Sequence, residues 1–421
     1  MASTILFIGL LIFVAHLLSG LFEKTTVPDV LLLMVIGIII GPIAGIVRPE
    51  DFGKVGPLIT TIALIVILFA SGIDLRFSSI RKAIGFSFII TFLNFFATGG
   101  VLTILFRLLT GCSWVVALMT GSIIGGISSA VVLPIIRTIK LSEKAHTILF
   151  FESAMSDVLC IVFTFGFLKA YELGGLNITG IAQKVLLSLG LASIIGLVSA
   201  FFWSFLLRII RRVPDNIFTT LAYIFVIYGI TELLGYSGAI SALAFGITLA
   251  NIRKFEYKNF KPAERLQLSE FTTVEKGFFS EVVFLLKIFF FVYLGISIKI
   301  SDFNVMLVGF LFTIAILFAR LIVIFVFAPR SLSPRDASIM SAMIPKGLAA
   351  AVLASIPLQM GVEFSDVILD IVYSVILWSI IACSILIPFI EKVRLGGVYK
   401  KIFSHFKGVS VSDDDNIGIN V

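Results

Sequence analysis

Apolar stretches of roughly 18 to 25 residues recur along this chain from one end to the other, each long enough to cross about 30 Å of hydrocarbon as a helix. Nothing else constrains the fold as strongly. With 59% apolar residues, only 14% charged and 42 phenylalanines among 421, the chain carries more hydrocarbon than a soluble domain could hide. Breaks at charged or Gly/Pro clusters divide it into about thirteen spans. They run approximately over residues 3–21, 29–47, 57–75, 83–108, 113–137, 145–171, 183–211, 215–234, 237–252, 279–299, 302–328, 335–361 and 365–390. The first has no basic n-region and no obvious cleavage site, so it reads as a retained span rather than a signal peptide.

The formal charge of +7 records topology rather than a nucleic-acid partner. Its basic groups are Arg76, Arg81 and Lys82; Arg137, Lys140 and Lys144; Arg208, Arg211 and Arg212; those of residues 253–276; Arg330 and Arg335; and the tail from Lys392 onward. All follow odd-numbered spans. Roughly 23 of the 32 Lys and Arg fall on that side and about 6 on the other, which marks it as cytoplasmic. The N-terminus is then outside and the C-terminus inside, in a multi-pass protein of the cell (inner or plasma) membrane whose first partner is the lipid bilayer. Residues 253–276 form a cytoplasmic surface helix or a linker between two halves, and the tail ending Ser412-Asp413-Asp414-Asp415 reads as disordered. Cys112, Cys160 and Cys383 show no metal-ligand spacing and say nothing about redox compartment.

A charge deep in a span is costly and therefore marks a functional site by default. Five stand out: Glu152 and Asp157 in the sixth span, Lys287 in the tenth, Arg320 in the eleventh and Lys346 in the twelfth. Desolvation disfavours a bare carboxylate at the depth of Asp157, so this group gains by holding a proton or a metal cation. Ser153, one turn earlier, shares its helical face, while Glu152 and Ser156 form a pair on another. The plainer alternative is that both acids merely neutralise buried bases.

Two spans carry matched defects. The fifth reads Gly121-Ser122-Ile123-Ile124-Gly125-Gly126-Ile127-Ser128-Ser129 with Pro134 beyond, and the twelfth reads Ile344-Pro345-Lys346-Gly347 with Pro357 beyond. Such residues weaken a helix and free backbone groups. Interrupted spans in corresponding positions of two halves point to a transporter's midplane site, because non-helical backbone survives there only where protein or a cavity surrounds it.

These residues together resemble the monovalent cation:proton antiporter superfamily, and its NhaP-like branch most closely. Val35-Ile36-Gly37-Ile38-Ile39-Ile40-Gly41-Pro42 looks like the family's Gly-x-x-x-Gly-Pro second span, and Phe69-Ala70-Ser71-Gly72-Ile73-Asp74-Leu75 like the end of its third. Glu152-Ser153-x-x-Ser156-Asp157 is similar to the branch's Glu-Ser-x-x-Asn-Asp, and Lys346-Gly347 falls where that branch has Arg-Gly.

The resemblance implies an all-α polytopic fold of two inverted repeats with two discontinuous crossing helices. Dimerisation helices would occupy residues 1–82 and 173–300, including the cytoplasmic linker. A moving core would be built from 83–172 and 301–392, with 393–421 as the tail. It also implies a homodimer. Carried onto matching positions, Asp157 holds the proton or the transported Na⁺, Ser153 helps ligate the cation, and Glu152 pairs with Lys346 to brace the broken helix. Ser128 takes the place of the Thr in a Thr-Asp pair, and Arg320 compensates helix ends or carboxylates. Lys287 has no counterpart and reads as a snorkelling residue or a core ion pair.

Three departures stand out: Ser156 where Asn or Asp is expected, Ser129 where Asp is expected, and Lys346 in place of Arg, which unlike arginine can release a proton. Ser156 and Ser129 remain candidate cation or proton ligands.

The mechanism expected is exchange of Na⁺, or of Li⁺ or K⁺, for H⁺ at Asp157 by alternating access, with hard oxygen ligands suited to an alkali cation and no cofactor. The rivals are an organic-anion transporter of similar fold, a K⁺ efflux channel-like protein and an ion-sensing membrane protein. A channel would be expected to carry a regulatory domain beyond the last span, where only about 30 residues follow. An enzyme is not expected, since His16, His146 and His405 lie far apart and no nucleophile–base pair or phosphate loop is evident. His146, at the start of the sixth span, is a candidate pH sensor.

Overall fold

The computed structural model describes residues 9–10, 12–14, 16–17, 28–52, 55–74, 85–174, 178–210, 217–252, 272–391 and 402–406. Most of the first span, the 253–276 linker apart from its last residues, and nearly all of the tail expected to be disordered lie outside the described residues. Among the described residues every regular element is helical, and seven helices, counting the interrupted Trp114–Thr138 as one, are long and apolar enough to cross a membrane, with shorter apolar helices between them.

The contacts group the chain into two compact units. The first comprises Met1–Lys54, Ala83–Cys160 and Lys287–Val421. Its helices are α1 (Asp29–Ile38, prolonged by a π turn at Ile39–Ile43), α3 (Phe86–Thr110), α4 (Trp114–Ile124), α5 (Ser129–Thr138), most of α6 (Glu143–Glu172), the end of α10 (Thr273–Ser297), α11 (Phe303–Phe327), α12 (Pro334–Ala342), α13 (Leu348–Gln359) and α14 (Ser365–Glu391). The second comprises Val55–Lys82 and Ile161–Leu286, and contains α2 (Val55–Asp74), the remainder of α6 and of α10, α7 (Ile178–Ile210), α8 (Ile217–Leu233) and α9 (Gly238–Ala250).

Local chemistry places the helix ends. Gly111 ends α3 at φ 69°, a left-handed conformation that suits glycine. Two residues on, the Ser113 hydroxyl caps α4 by accepting from the Val116 N–H. Asp302 caps α11 in the same way, and Ser333 followed by Pro334 opens α12. Phe86, Phe88, Phe96 and Leu108 lie exposed along α3, as expected of a face turned to lipid rather than water.

Both interrupted spans are broken, each at its glycine or Pro345 segment: α4 gives way to α5 across Gly125–Ser128, and α12 to α13 across Met343–Gly347. Pro134 and Pro357 do not interrupt anything and sit inside α5 and α13. In the first unit α1 and α10 cross so closely that a methyl built on Gly37 would meet the Val292 carbonyl, and one on Gly295 the Met34 carbonyl. The second unit repeats this crossing between α2 and α9, where Gly72 faces the Leu243 carbonyl and Gly246 the Phe69 carbonyl. The core of the second unit is aromatic: Trp203 stacks on Tyr223 at 4.2 Å, and Phe69 packs against Phe245 and Phe279. Lys287 forms an ion pair with Asp29 at 2.6 Å, the core-pair alternative for this residue.

Candidate functional site

The two breaks meet. The Ser128 N–H, left without a helical partner at the start of α5, donates to the Pro345 carbonyl at 2.9 Å, so each unwound segment supplies the other with a bond that continuous helix would have made internally. Ser128 comes to the site through its main chain, while its hydroxyl lies against Gly347. The φ of Gly347 is negative, so no left-handed conformation calls for glycine there; space is what restricts the position. Gly347→Ala is therefore expected to force the crossing apart and lower the melting temperature, with Ser128→Gly in the same chain restoring part of it. Thermal unfolding in detergent checks this, and a Gly347→Ala protein that melts with the wild type contradicts it.

Breaking a helix at this depth exposes two ends that carry opposite partial charge, and one charged side chain faces each. Asp157, buried on α6, lies at the N-terminal end of α5, where the Ser129 hydroxyl donates to its Oδ2 at 2.8 Å. Lys346, from the other break, reaches the C-terminal end of α4 and donates from Nζ to the Gly126 carbonyl at 2.6 Å. The structure thus brings Asp157, Ser129, Ser128 and Lys346 to one place.

Glu152 behaves differently. It forms a bidentate salt bridge with Arg320, at 2.5 and 2.9 Å, with both side chains almost wholly buried. Arg320 Nε donates to the Met340 carbonyl and Asn94 Nδ2 to Glu152 Oε1, at 2.7 and 2.9 Å. The expected Glu152–Lys346 pair is corrected here. A planar guanidinium satisfies both carboxylate oxygens and still has Nε for α12, which an ammonium cannot match.

The remaining serines bond to the main chain. The Ser153 hydroxyl donates to the Phe150 carbonyl of its own helix at 3.0 Å. Ser156 turns to the unwound chain, accepting from the Ile127 N–H at 3.1 Å. Sequence reasoning passed over Asn94 and Asp336, both buried, and over Cys160, Ser379 and Cys383. An amide amid the phenylalanines of the fourth span was a signal for Asn94, whereas Asp336 stands at the very start of the twelfth span, beside Pro334 and Arg335, where a charge is unremarkable.

The family model described as sodium/hydrogen exchanger, transmembrane, matches residues 9–392. The chain belongs to the sodium/hydrogen exchanger family. It is 26% identical over 265 residues to the Na(+)/H(+) exchanger beta of Oncorhynchus mykiss, covering 58% of this chain and 34% of that one. It is 23% identical over 382 residues to the K(+)/H(+) antiporter NhaP2 of Shewanella baltica, covering 89% and 63%. The chain therefore spans between about a third and two thirds of the length of these curated relatives. Its fold is similar to that of the sodium proton antiporter MjNhaP1 from Methanocaldococcus jannaschii, with a TM-score of 0.68 at 21% identity, over 91% of this chain and 99% of that one.

Proposed function

We propose that this membrane-embedded multi-pass protein exchanges an alkali cation, Na⁺, Li⁺ or K⁺, for H⁺ by alternating access, with Asp157 as the shared site. One observation carries this reading. Of the two acids on α6, Glu152 is held by Arg320, whereas Asp157 has no ion-pair partner among the described residues and is met only by a hydroxyl and a helix end. A proton and a cation each neutralise it, so they exclude one another. A loaded site crosses the membrane as a neutral body, while an empty carboxylate makes the crossing costly, and this enforces exchange. The orientation with the N-terminus outside, the homodimer, and the division into dimerisation helices and a moving core belong to the same proposal.

The test is dequenching of an internal pH dye in proteoliposomes, given Na⁺, K⁺ and Li⁺ in turn with voltage clamped or free. Relatives named for Na⁺ and for K⁺ make the choice of cations necessary. Because H⁺ competes for the same carboxyl, the apparent KM for the cation is expected to rise as pH falls. A KM independent of pH counts against a shared site.

A further inference from the structure

The unwound segments leave backbone N–H groups deep in a low-dielectric core, where an unmet donor is costly. Each break meets this in the same way. In the first, the Gly126 N–H donates to Cys160 Sγ at 3.2 Å and the Ile127 N–H to Ser156 Oγ at 3.1 Å. In the second, the Ile344 N–H donates to Cys383 Sγ at 3.3 Å and the Lys346 N–H to Ser379 Oγ at 2.9 Å.

Both acceptor pairs read Ser-x-x-x-Cys, one turn apart on a single face of α6 and of α14. The two pairs lie 223 positions apart in the chain, as do the crossing glycines Gly72 and Gly295. In each break the earlier N–H takes the thiol and the later one the hydroxyl, so the unwound chain runs antiparallel to the helix that holds it. One serine and one thiol also bond back to carbonyls: Ser156 to Ile127 and Cys383 to Ala342. The duplication does not extend to charge, since the residue after Ser156 is Asp157 and the residue after Ser379 is Ile380.

We infer that these two Ser-x-x-x-Cys pairs are clamps, and that Cys160 and Cys383, with Ser156 and Ser379, are positioning residues for exchange. Each fixes an unwound segment to its neighbouring span, so that Ser129 stays in register with Asp157 and Lys346 with Gly126. The inference rests on the reading of Asp157 as the exchange site. A thiol is a weak acceptor that a hydroxyl can replace and a methyl cannot.

The experiment compares Cys160→Ala, Cys160→Ser, Cys383→Ala, Cys383→Ser and Ser379→Ala in proteoliposomes, with the cation that drives the wild-type protein. The alanine variants are expected to raise the apparent cation KM about tenfold and to keep the maximal rate within about twofold, as loss of one buried acceptor should. The Cys→Ser variants are expected to return close to the wild-type KM. An alanine variant at either cysteine with wild-type KM, or a serine variant no better than its alanine counterpart, overturns the inference. Should Cys160→Ala not be recovered folded, the Cys383 pair and Ser379→Ala, scored in the same way, decide it. A wild-type protein with no cation-driven pH change instead sinks the proposed function, which separates the two failures.

Discussion

Asp157→Asn is expected to abolish cation-driven proton movement in proteoliposomes while leaving the protein folded. The amide is close in shape to the carboxyl and its oxygen can still accept from the Ser129 hydroxyl, so the contact seen at 2.8 Å survives. The charge does not. A unit charge held about 4 Å from a cation at an effective dielectric near 20 contributes about 4 kcal/mol, so cation affinity should fall by roughly a thousandfold. The variant also has no proton to give up, and both halves of the exchange are lost together. Detergent melting within a few degrees of wild type, with no dye response to Na⁺, K⁺ or Li⁺, is the supporting outcome. A retained response in a well-folded Asp157→Asn protein would end the proposal that one carboxyl serves both ions.

The largest stability effect is expected at Arg320. Arg320→Ala leaves Glu152 buried beside Asn94 with no counter-charge, and removes the bond from Nε to the Met340 carbonyl. Removing one member of a buried pair costs about 3 to 5 kcal/mol, chiefly because the other is stranded. The double variant Glu152→Gln/Arg320→Ala should recover a large part of that loss, since neither partner is then left charged alone. Thermal or denaturant unfolding in detergent of the two single variants and the double completes the cycle. Additive losses would mean that the two residues do not act as a pair.

These contrasting expectations for two acids five residues apart on α6 show what the sequence made legible. The cost of a charge in hydrocarbon flags Glu152, Asp157, Arg320 and Lys346 from their positions alone. Likewise Gly125-Gly126 and Pro345-Lys346-Gly347 marked the fifth and twelfth spans as the interrupted ones, and both are broken there. Pro134 and Pro357 were equally visible, yet both remain within helix. A proline weakens a helix locally, but whether the chain unwinds depends on whether neighbours can take up the freed backbone groups. Ser156 and Cys160 do this for the first break, and Ser379 and Cys383 for the second.

Side-chain roles followed the same rule. Ser156, read as a possible cation ligand, is bonded to the Ile127 backbone. Ser153 shares the helical face of Asp157 as its spacing requires, and donates to its own helix. Helical periodicity tells which residues share a face but not what that face meets.

By itself, then, the order of residues determined that the chain crosses a bilayer repeatedly, where it could break, and which few charges needed an explanation, because hydropathy and backbone preference act over one or two turns. Only the tertiary structure decided the partnerships: Arg320 rather than Lys346 for Glu152, across 168 positions, and a hydroxyl rather than a base for Asp157. Those choices depend on the reach and direction of side chains converging from separate helices, and no local property of the chain encodes that.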